Sequence, residues 1–387
     1  MVKNIVLVTN HLTPYRKFFY DRLYDACELT GIKFTVLLMT KCEPKRNWDY
    51  DKLQTHYAIL MPGHHFSFPI NNHLNTSVIS FLKKINPEIV IMAGSYFYYT
   101  NWLVLLSRNK LNYFTIFWSE THFLEKRNYN QILLSIRDYF RYKFYSSCNG
   151  FWYSGSLSKE FISHYANKTA KLYFVPNLID KDFYSNEARK LESQKIKLRQ
   201  KWNITINDRV WIIPARLSPE KGILNFMDLL VKTKFKESNI TIIIPGTGPL
   251  ESNIKAKITD LGLKISLLGF QNQKEMAELY ALSDVFVLPS LSDSNPLTCI
   301  EALWSGKPLL VSAHVGNYPE VIEEGVNGYV FDYSKSPQAI EKINKIIEVS
   351  DEWISNAKTK SLEIANQKYN PQKVVSRVIN EMVNDIK

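Results

Sequence analysis

The sequence predicts an α/β protein built from two Rossmann-like domains, each with a parallel β-sheet covered by helices on both faces. At 387 residues, the chain exceeds the length over which a single hydrophobic core keeps growing. Apolar residues make up 45% of the chain and charged residues 22%, as is typical of folded globular proteins. Short apolar runs alternate with helical segments throughout, and this alternation is typical of parallel sheets buried on both faces.

The candidate strands define the order of the elements. The apolar runs of the first half are NIVLVTN, KFTVLLMT, EIVIMAG, YFTIFWS, GFWYSG and LYFVPN, and those of the second half are RVWIIPAR, ITIIIPG, KISLLGF, DVFVLPS and KPLLVSA. A Pro-Asn turn before the charged run EARKLESQKIKLRQKW predicts domains at residues 1–178 and 179–370. Residues 371–387 predict a last amphipathic helix that either caps the second domain or packs back toward the first.

The sequence predicts neither a targeting signal nor a disulfide-bonded pair of cysteines. The opening MVKNIVLVTNHL has too short an apolar run for a signal peptide, and no apolar run reaches the roughly 18 residues that a membrane span needs. We therefore expect a cytoplasmic protein. The four cysteines are scattered, so we expect neither a disulfide framework nor a metal site.

Positive charge is concentrated in the first half of the chain. Residues 1–180 carry 21 Lys and Arg against 12 Asp and Glu, whereas the remainder carries 27 against 25. This asymmetry indicates that the first domain faces an anionic membrane surface, a nucleic acid or a phosphorylated substrate, with general solubility as the alternative. Nucleic acid is the weakest of these because the sequence has no RNP-like aromatic strand.

Residues 126–147, KRNYNQILLSIRDYFRYKFYSS, combine basic and aromatic side chains on one predicted helix. They are Arg137, Arg141 and Lys143 together with Tyr139, Phe140, Tyr142 and Phe144. Such a helix can lie in a membrane interface with its apolar face down. The alternative is that about half of the aromatic side chains pack into the domain core.

Ligands of open α/β sheets bind beyond the carboxyl ends of the strands, so residues that follow strands are the candidate site residues. In PARLSPEKGILNF, Arg216 follows a strand and Ser218–Pro219 predict a helix start close to Lys221. Two cations beside a helix N-terminus could bind a diphosphate. The alternative is a solvated loop in which Glu220 pairs with Lys221.

Two glycine-containing loops follow the next two strands. Gly246 and Gly248 in IIIPGTGPLESNI would allow a ligand to approach the backbone closely, and Gly269 and Phe270 in LLGFQNQKEM could meet a flat base. Ordinary tight turns would explain the same residues.

The loop SLSDSNPLTCIEALWSGKPLL contains both hydroxyl-binding and anion-binding candidates. Asn295 as N-cap and Pro296 as first helical residue would leave the N–H groups of Leu297 and Thr298 for a phosphate.

In the same loop, Asp293 could bind sugar hydroxyls and Glu301 a ribose diol. The alternative is a capping box formed by Thr298 and Glu301 without any ligand.

Together, ARLSPEKG, PGTGPLE, LLGFQ and the pair Asp293 and Glu301, with seven residues between them, resemble the donor domain of retaining family 4 glycosyltransferases with the GT-B fold. The resemblance covers roughly residues 170–335. It implies two domains around a central cleft, with Arg216 and Lys221 on the donor diphosphate, Glu301 on the ribose and Asp293 on the sugar. It also implies that Gly246 and the backbone of Gly269–Phe270 line the nucleotide pocket.

Two departures from that family leave the donor open between UDP- and GDP-sugars. Asp293 stands where the family more often has Glu, and the shorter side chain could change which sugar fits. SNP stands where many members have a Gly-Phe-Gly turn, so Pro296 removes a backbone donor.

Acceptor-side candidates lie in the first domain. In TNHLTPYRKFF, Pro14, Tyr15 and Arg16 would face the cleft, and Arg16 could meet an acceptor phosphate, although a helix-cap role for this turn is the alternative. In FTIFWSETHF, Glu120 and His122 stand near where relatives place a cleft histidine, with an ordinary surface pair as the alternative.

The resemblance implies transfer of a hexose-type sugar, with retained configuration, from a nucleotide-sugar to a hydroxyl acceptor without a metal or a cofactor. The basic first domain favours a lipid-linked glycan acceptor at the inner face of a bacterial plasma membrane, as in O-antigen or capsule assembly. A nucleotide-sugar epimerase and a non-catalytic nucleotide or RNA binder remain the alternatives.

Overall fold

The structure is a computed structural model that describes residues 2–42, 50–66, 71–124 and 131–386. It contains two compact units. Most residues up to Leu178 form the first unit together with the segment that begins at Pro371, and Ile179–Asn370 form the second.

The first unit contains a seven-stranded parallel sheet. Its strands and those of a small antiparallel hairpin are β1 (Asn4–Thr9), β2 (Lys33–Leu38), β3 (Ala58–Leu60), β4 (His64–Phe66), β5 (Asn72–Leu74), β6 (Ile89–Met92), β7 (Phe114–Ser119), β8 (Gly150–Tyr153) and β9 (Lys171–Phe174). The sheet order is β3-β2-β1-β6-β7-β8-β9, and β4 pairs with β5. All six predicted strands are confirmed, whereas β3, β4 and β5 are too short to have given an apolar run.

The helices of the first unit cover both faces of this sheet. They are α1 (Pro14–Leu29), α2 (Tyr50–Leu53), α3 (Val78–Ile85), α4 (Tyr99–Leu111), α5 (Gln131–Ser147) and α6 (Ser156–Tyr165). Helix α1 begins directly beyond β1 because Thr13 accepts a hydrogen bond from the backbone N–H of Arg16 and Pro14 occupies the first helical position. The predicted helix cap at this turn is therefore confirmed.

The second unit contains a six-stranded parallel sheet of order β12-β11-β10-β13-β14-β15. Its strands are β10 (Arg209–Ile212), β11 (Ile240–Pro245), β12 (Ile265–Gly269), β13 (Val285–Leu288), β14 (Leu309–Ser312) and β15 (Gly328–Phe331). The five predicted strands of this half are confirmed, and β15 is an edge strand that the sequence did not reveal.

Helices connect consecutive strands of this sheet, as parallel pairing requires. They are α7 (Lys181–Glu192), α8 (Lys195–Lys201), α9 (Ile223–Leu230), α10 (Glu251–Leu261), α11 (Gln273–Leu282), α12 (Leu297–Trp304), α13 (Tyr318–Val321), α14 (Ser336–Ile347) and α15 (Asp351–Lys368). Two 3₁₀ turns, Pro219–Lys221 and Lys234–Glu237, flank α9.

The last helix, α16 (Pro371–Asp385), packs in the core of the first unit. Its apolar face, which includes Val375 and Met382, belongs to the same buried cluster as Phe19 of α1. Asp385 accepts hydrogen bonds from Lys171 Nζ at 2.8 Å and from Tyr173 Oη at 2.9 Å. The helix therefore returns to the first unit, the second of the two arrangements that its sequence allowed.

Strand order reverses in each sheet, between β1 and β6 in the first unit and between β10 and β13 in the second. Loops on either side of such a reversal run in opposite directions, and they leave a crevice at the carboxyl ends of the strands. In the second unit, the loops after β10 and β13 are those that carry Arg216 and Asp293.

Candidate functional site

The loops after β10, β11 and β12 are hydrogen-bonded side by side. The N–H of Leu217 donates to the carbonyl oxygen of Thr247 at 3.0 Å, and the N–H of Gly246 donates to that of Gly269 at 2.7 Å. Gly246 has φ +146°, and a Cβ atom there would lie 2.0 Å from the carbonyl oxygen of Ala215. Only glycine fits at this position, so the three loops form one continuous surface.

The other predicted glycines differ in what surrounds them. A Cβ atom on Gly248 would lie 2.4 Å from the Leu217 carbonyl oxygen, so both glycines of the β11 loop are required by loop packing. Gly269 has φ +73° with open space beside it, and the side chain of Phe270 is 78% exposed. Loop packing thus accounts for Gly246 and Gly248 without a ligand, in line with the tight-turn alternative, whereas it does not account for the exposed side chain of Phe270.

Arg216 is exposed on this surface, and no acidic side chain in the described part of the chain pairs with it. The predicted helix start at Ser218–Pro219 is confirmed, but only as a single 3₁₀ turn that Gly222 ends with φ +64°. The α-helix α9 begins after that glycine. The loop therefore presents the guanidinium without burying it.

Lys221 and Asp293 contact each other through the ammonium and the carboxylate. Both side chains are mostly buried, which strengthens the pairing relative to an exposed pair. Glu220 does not pair with Lys221, and that alternative is wrong: its carboxylate accepts a hydrogen bond from Ser218 Oγ, and its carbonyl oxygen accepts one from the N–H of Leu291 at 2.8 Å. The β10 and β13 loops are thereby joined.

Helix α12 begins one residue later than predicted. It starts at Leu297, Pro296 is the residue before it, and neither Pro296 nor Asn295 caps it through a side chain. The predictions of Asn295 as N-cap and of Pro296 as first helical residue are therefore wrong, because Pro296 is extended, with ψ 128°. The N–H groups of Leu297 and Thr298 donate to no group among the described residues, so they remain available at the helix tip.

Glu301 is held by two tyrosines from neighbouring helices. Tyr184 Oη of α7 donates to Oε1 at 2.8 Å, and Tyr280 Oη of α11 donates to Oε2 at 2.9 Å. The capping box between Thr298 and Glu301 is not formed, and that alternative is wrong because Thr298 lies inside the helix. Each carboxylate oxygen retains a second lone pair, so Glu301 can still accept hydrogen bonds from a ligand.

The environment of Glu301 shifts three pKa values. Burial raises the pKa of Glu301 above its ordinary value, and the hydrogen bonds from Tyr184 and Tyr280 oppose that rise. Burial and the neighbouring carboxylate raise the pKa of both phenols, so both stay protonated and continue to donate. The carboxylate is thus kept in place by donors that do not titrate at physiological pH.

Sequence reasoning missed both tyrosines and the loop after β14. The N–H of Asp293 donates to the carbonyl oxygen of His314 at 3.2 Å, and the N–H of Gly316 donates to that of Asp293 at 2.7 Å. The tyrosines lie on helices rather than after strands, and no motif marked them. The loop follows the predicted strand β14, so its position was the one available signal.

On the first unit, Arg16 and Glu120 come together beyond β1 and β7. Arg16 Nη2 lies 3.2 Å from Glu120 Oε1, and its guanidinium stacks 3.8 Å from the centroid of the Trp118 ring. Burial disfavours the charge of Arg16, but the Glu120 carboxylate together with Tyr20 and Tyr15 outweighs burial, and the pKa of the guanidinium is raised. Tyr15 lies beside Arg16 and is partly exposed, whereas Pro14 serves the helix start.

His122 is 3% exposed. The imidazole is therefore not at the surface, contrary to the alternative of an ordinary surface pair, and Glu120 pairs with Arg16.

Helix α5 places Arg141 inward and several aromatic side chains outward. Residues 126–130 of the predicted basic segment lie outside the described residues. The Arg141 guanidinium lies over the rings of Tyr96, Phe161 and Tyr165 at 5.1–5.3 Å, and Phe144 is fully buried. The exposed large apolar side chains in the described part of this helix are Leu134, Ile136, Tyr139, Phe140 and Tyr142. Arg141 is therefore not available as an interfacial cation, contrary to the prediction for this helix.

Metal-binding clusters and membrane-spanning helices are both absent from the described ranges. No group of three or more His, Cys, Asp and Glu side chains there could hold a metal ion. No helix in those ranges combines the length and the apolar character that crossing a bilayer requires.

The region that carries the four loops matches a family model. Residues 194–360 match the model described as Glycosyl transferases group 1. This range contains Arg216, Lys221, Asp293 and Glu301.

Among curated proteins, the chain is 28% identical over 216 residues to the UDP-Gal:alpha-D-GlcNAc-diphosphoundecaprenol alpha-1,3-galactosyltransferase of Escherichia coli, covering 54% of this chain and 52% of that one. It is 25% identical over 198 residues to the lipopolysaccharide 1,2-N-acetylglucosaminetransferase of Salmonella typhimurium, covering 48% and 51%. The chain thus spans about half the length of the curated relatives it matches.

Among solved structures, the chain resembles Anabaena HepE in complex with UDP and glucose, with a TM-score of 0.69, 17% identity and coverage of 98% and 99% of the two chains. It also resembles the Rickettsia africae glycosyltransferase, with a TM-score of 0.74, 16% identity and coverage of 99% and 98%. At these identities the likeness shows the fold alone: two Rossmann-like domains with parallel sheets, as in GT-B glycosyltransferases.

Proposed function

We propose that this chain is a glycosyltransferase that moves a hexose-type sugar, with retention of configuration, from a UDP- or GDP-sugar to a hydroxyl of a lipid-linked glycan acceptor in bacterial surface polysaccharide assembly. One observation carries the proposal: at the strand-order reversal of the second unit lie an exposed arginine, a helix tip whose first N–H groups have no acceptor among the described residues, and two carboxylates. The match of residues 194–360 to the glycosyl transferase model supports it.

The chemistry follows from the charges at this edge. Arg216 would contact the donor diphosphate as a planar two-pronged donor, and the N–H groups of Leu297 and Thr298 would offset charge that develops on the leaving group. Asp293 would accept hydrogen bonds from sugar hydroxyls and Glu301 from the ribose diol. Catalysis would then rest on positioning and electrostatic stabilisation, and the leaving diphosphate would take the proton of the attacking hydroxyl on the same face.

The lipid-linked acceptor is proposed from two features. The first half of the chain carries the excess of positive charge, and the E. coli relative acts, by its name, on a diphosphoundecaprenol-linked sugar. A polyprenyl diphosphate is anionic, and Arg16 beyond β1 is a candidate contact for its phosphate. Its pairing with Glu120 would have to rearrange for that contact.

A turnover screen tests the proposed function. The purified chain is incubated with each of a panel of UDP- and GDP-sugars, with and without an undecaprenyl-diphosphate-linked acceptor, and nucleoside diphosphate release is measured. Acceptor-dependent release with one donor is expected, and NMR of the product should show the donor's anomeric configuration. An altered nucleotide-sugar formed without acceptor would instead indicate an epimerase, and binding without turnover would indicate a non-catalytic nucleotide binder.

We further propose that the enzyme works at the cytoplasmic surface of the plasma membrane through an aromatic face. This face consists of Ile136, Tyr139, Phe140 and Tyr142 on α5 and of Tyr99 and Leu106 on α4. The two helices meet there through Trp102 and Phe140, whose ring centroids lie 6.4 Å apart. A cluster of exposed large apolar side chains typically marks an interaction surface, and exposed Lys143 beside Tyr139 suits anionic headgroups.

Removal of two rings from the aromatic face should weaken membrane binding. Y139S/F140S is expected to lower partition onto phosphatidylglycerol-containing vesicles about tenfold, because each exposed ring would otherwise bury apolar surface in the interface. Vesicle flotation measures this, and Leu29→Ser is the matched control because Leu29 is 89% exposed on the same unit. Equal flotation of wild type and the double variant would contradict the proposal.

A further inference from the structure

The hydroxyl groups of Tyr184 and Tyr280 both contact the Glu301 carboxylate, and that of Tyr280 also lies 3.4 Å from the carbonyl oxygen of Thr298. Tyr184 donates to one oxygen of the carboxylate at 2.8 Å and Tyr280 to the other at 2.9 Å. The rings themselves are buried in the core of the second unit, with 7% and 0% exposure. Hydrophobic packing explains the rings, but it does not explain why both hydroxyls converge on one carboxylate.

We propose that Tyr184 and Tyr280 are positioning residues that fix the Glu301 carboxylate for recognition of the nucleotide ribose. This inference rests on the proposed function and names two residues that the motif does not contain. Tyr184 belongs to α7 and Tyr280 to α11, so the two hydroxyls approach the carboxylate from different helices and fix its orientation. A carboxylate held in this way can present its remaining lone pairs to a vicinal diol in one geometry only.

The groups around the carboxylate define its titration. Tyr184 faces it from α7, Tyr280 from α11, and the Cys299 thiol lies nearby on its own helix. Burial raises the pKa of this thiol and of both phenols well above their ordinary values, so none of the three titrates near neutrality. Helices α13 and α15 also pack against α12, and in the described part of the chain they bring no charged group to Glu301.

Removal of the phenol hydroxyls should therefore change the pH dependence of ligand binding. The hydrogen bonds oppose the effect of burial on Glu301, so their loss raises its pKa further. Ligand binding that needs the ionised carboxylate is lost as the pH falls through that pKa. In Y184F/Y280F, the acid limb of the binding profile should move to higher pH than in wild type.

The test measures binding of UDP, GDP and their 2′-deoxy forms by calorimetry between pH 5 and 8. Wild type is expected to bind UDP or GDP, whichever of the two it binds more tightly, about tenfold more tightly than the 2′-deoxy form of that nucleotide. The reason is that the 2′-deoxy form loses a hydrogen bond to a charged group. In Y184F/Y280F this preference should fall to about twofold. If the tyrosines had a merely structural role, the double variant would bind the ribonucleotide and its 2′-deoxy form equally more weakly. The ratio of the two dissociation constants would then stay unchanged.

Two further variants make the outcome decisive. Tyr369→Phe is the matched control, because Tyr369 is a fully buried tyrosine of the same core whose hydroxyl has no hydrogen-bond partner among the described residues. It should keep both the ribose preference and the acid limb. In an E301Q background, Y184F/Y280F should change neither quantity.

The two proposals fail in different ways. If wild type binds a ribonucleoside diphosphate but Y184F/Y280F keeps its ribose preference and acid limb, the positioning role is wrong and the proposed function stands. If wild type binds neither UDP nor GDP, the proposed function itself is wrong.

Discussion

Arg216→Ala is expected to lower kcat for sugar transfer by about 10²–10³-fold. The substitution removes a preorganised positive charge that would stabilise the negative charge developing on the leaving group. The guanidinium is exposed and pairs with no acidic side chain in the described ranges. Its removal should therefore leave the free energy of unfolding within about 0.5 kcal/mol of wild type. A large kinetic loss without a stability loss would identify Arg216 as a residue that acts on the substrate.

The conservative substitution sharpens this prediction. Arg216→Lys keeps the charge but loses the planar fork that matches two phosphate oxygens, so it should recover only part of the rate. Lys255→Ala is a suitable control, because Lys255 is an exposed cation of the same unit on α10. Initial rates at saturating donor and urea unfolding of the same preparations provide the two measurements. Wild-type kcat in Arg216→Ala would contradict the assignment of the leaving-group site.

The fold was predictable because its strands are buried on both faces. Runs such as ITIIIPG and DVFVLPS have no polar alternation, which distinguishes central strands of a parallel sheet from half-exposed ones. The strands that escaped prediction are short or lie at an edge. β3 has three residues, and β15, GYVF, begins directly after a turn, so neither gives a long apolar run.

The candidate site was predictable only in its position along the strands. Carboxyl ends of parallel strands share one edge, so Arg216, Gly246, Gly269 and Asp293 had to lie near one another. The sequence could not reveal which side chains would pair there. The contact between Lys221 and Asp293 joins residues 72 positions apart, and that between Tyr184 and Glu301 joins residues 117 apart. Such contacts depend on loop and helix packing, which has no local signature.

The start of α12 shows that a local sequence pattern can also misplace the first residue of a helix. Asn295–Pro296 is a common pattern for an N-cap followed by the first helical residue, and it predicted the helix one residue too early. The structure keeps Pro296 extended because the loop before it pairs with the segment after β14, through the carbonyl oxygens of Asp293 and His314. Tertiary hydrogen bonds therefore overrode the local preference.

The contact between Lys221 and Asp293 leads to the second large expected effect. Asp293→Asn should lower kcat/KM for sugar transfer about 10²-fold, because a charged acceptor for a sugar hydroxyl is replaced by a neutral amide. The same change should tighten binding of free UDP or GDP about tenfold. Lys221 would lose its carboxylate partner, and the diphosphate would no longer meet a negative charge beside its binding site.

These opposite effects follow from one physical role for Asp293. With a sugar attached, the carboxylate can bind the hydroxyls of the donor, whereas after transfer it competes with the diphosphate for Lys221 and favours product release. Calorimetric titration of UDP and GDP measures the tightening, and Asp228→Asn is the control because Asp228 pairs with Lys257 at 2.6 Å between α9 and α10. A weaker nucleoside diphosphate complex in Asp293→Asn would show that the carboxylate helps to hold the diphosphate site together. In that case the aspartate would not compete for the lysine, and the shorter side chain at position 293 would have no part in releasing the product.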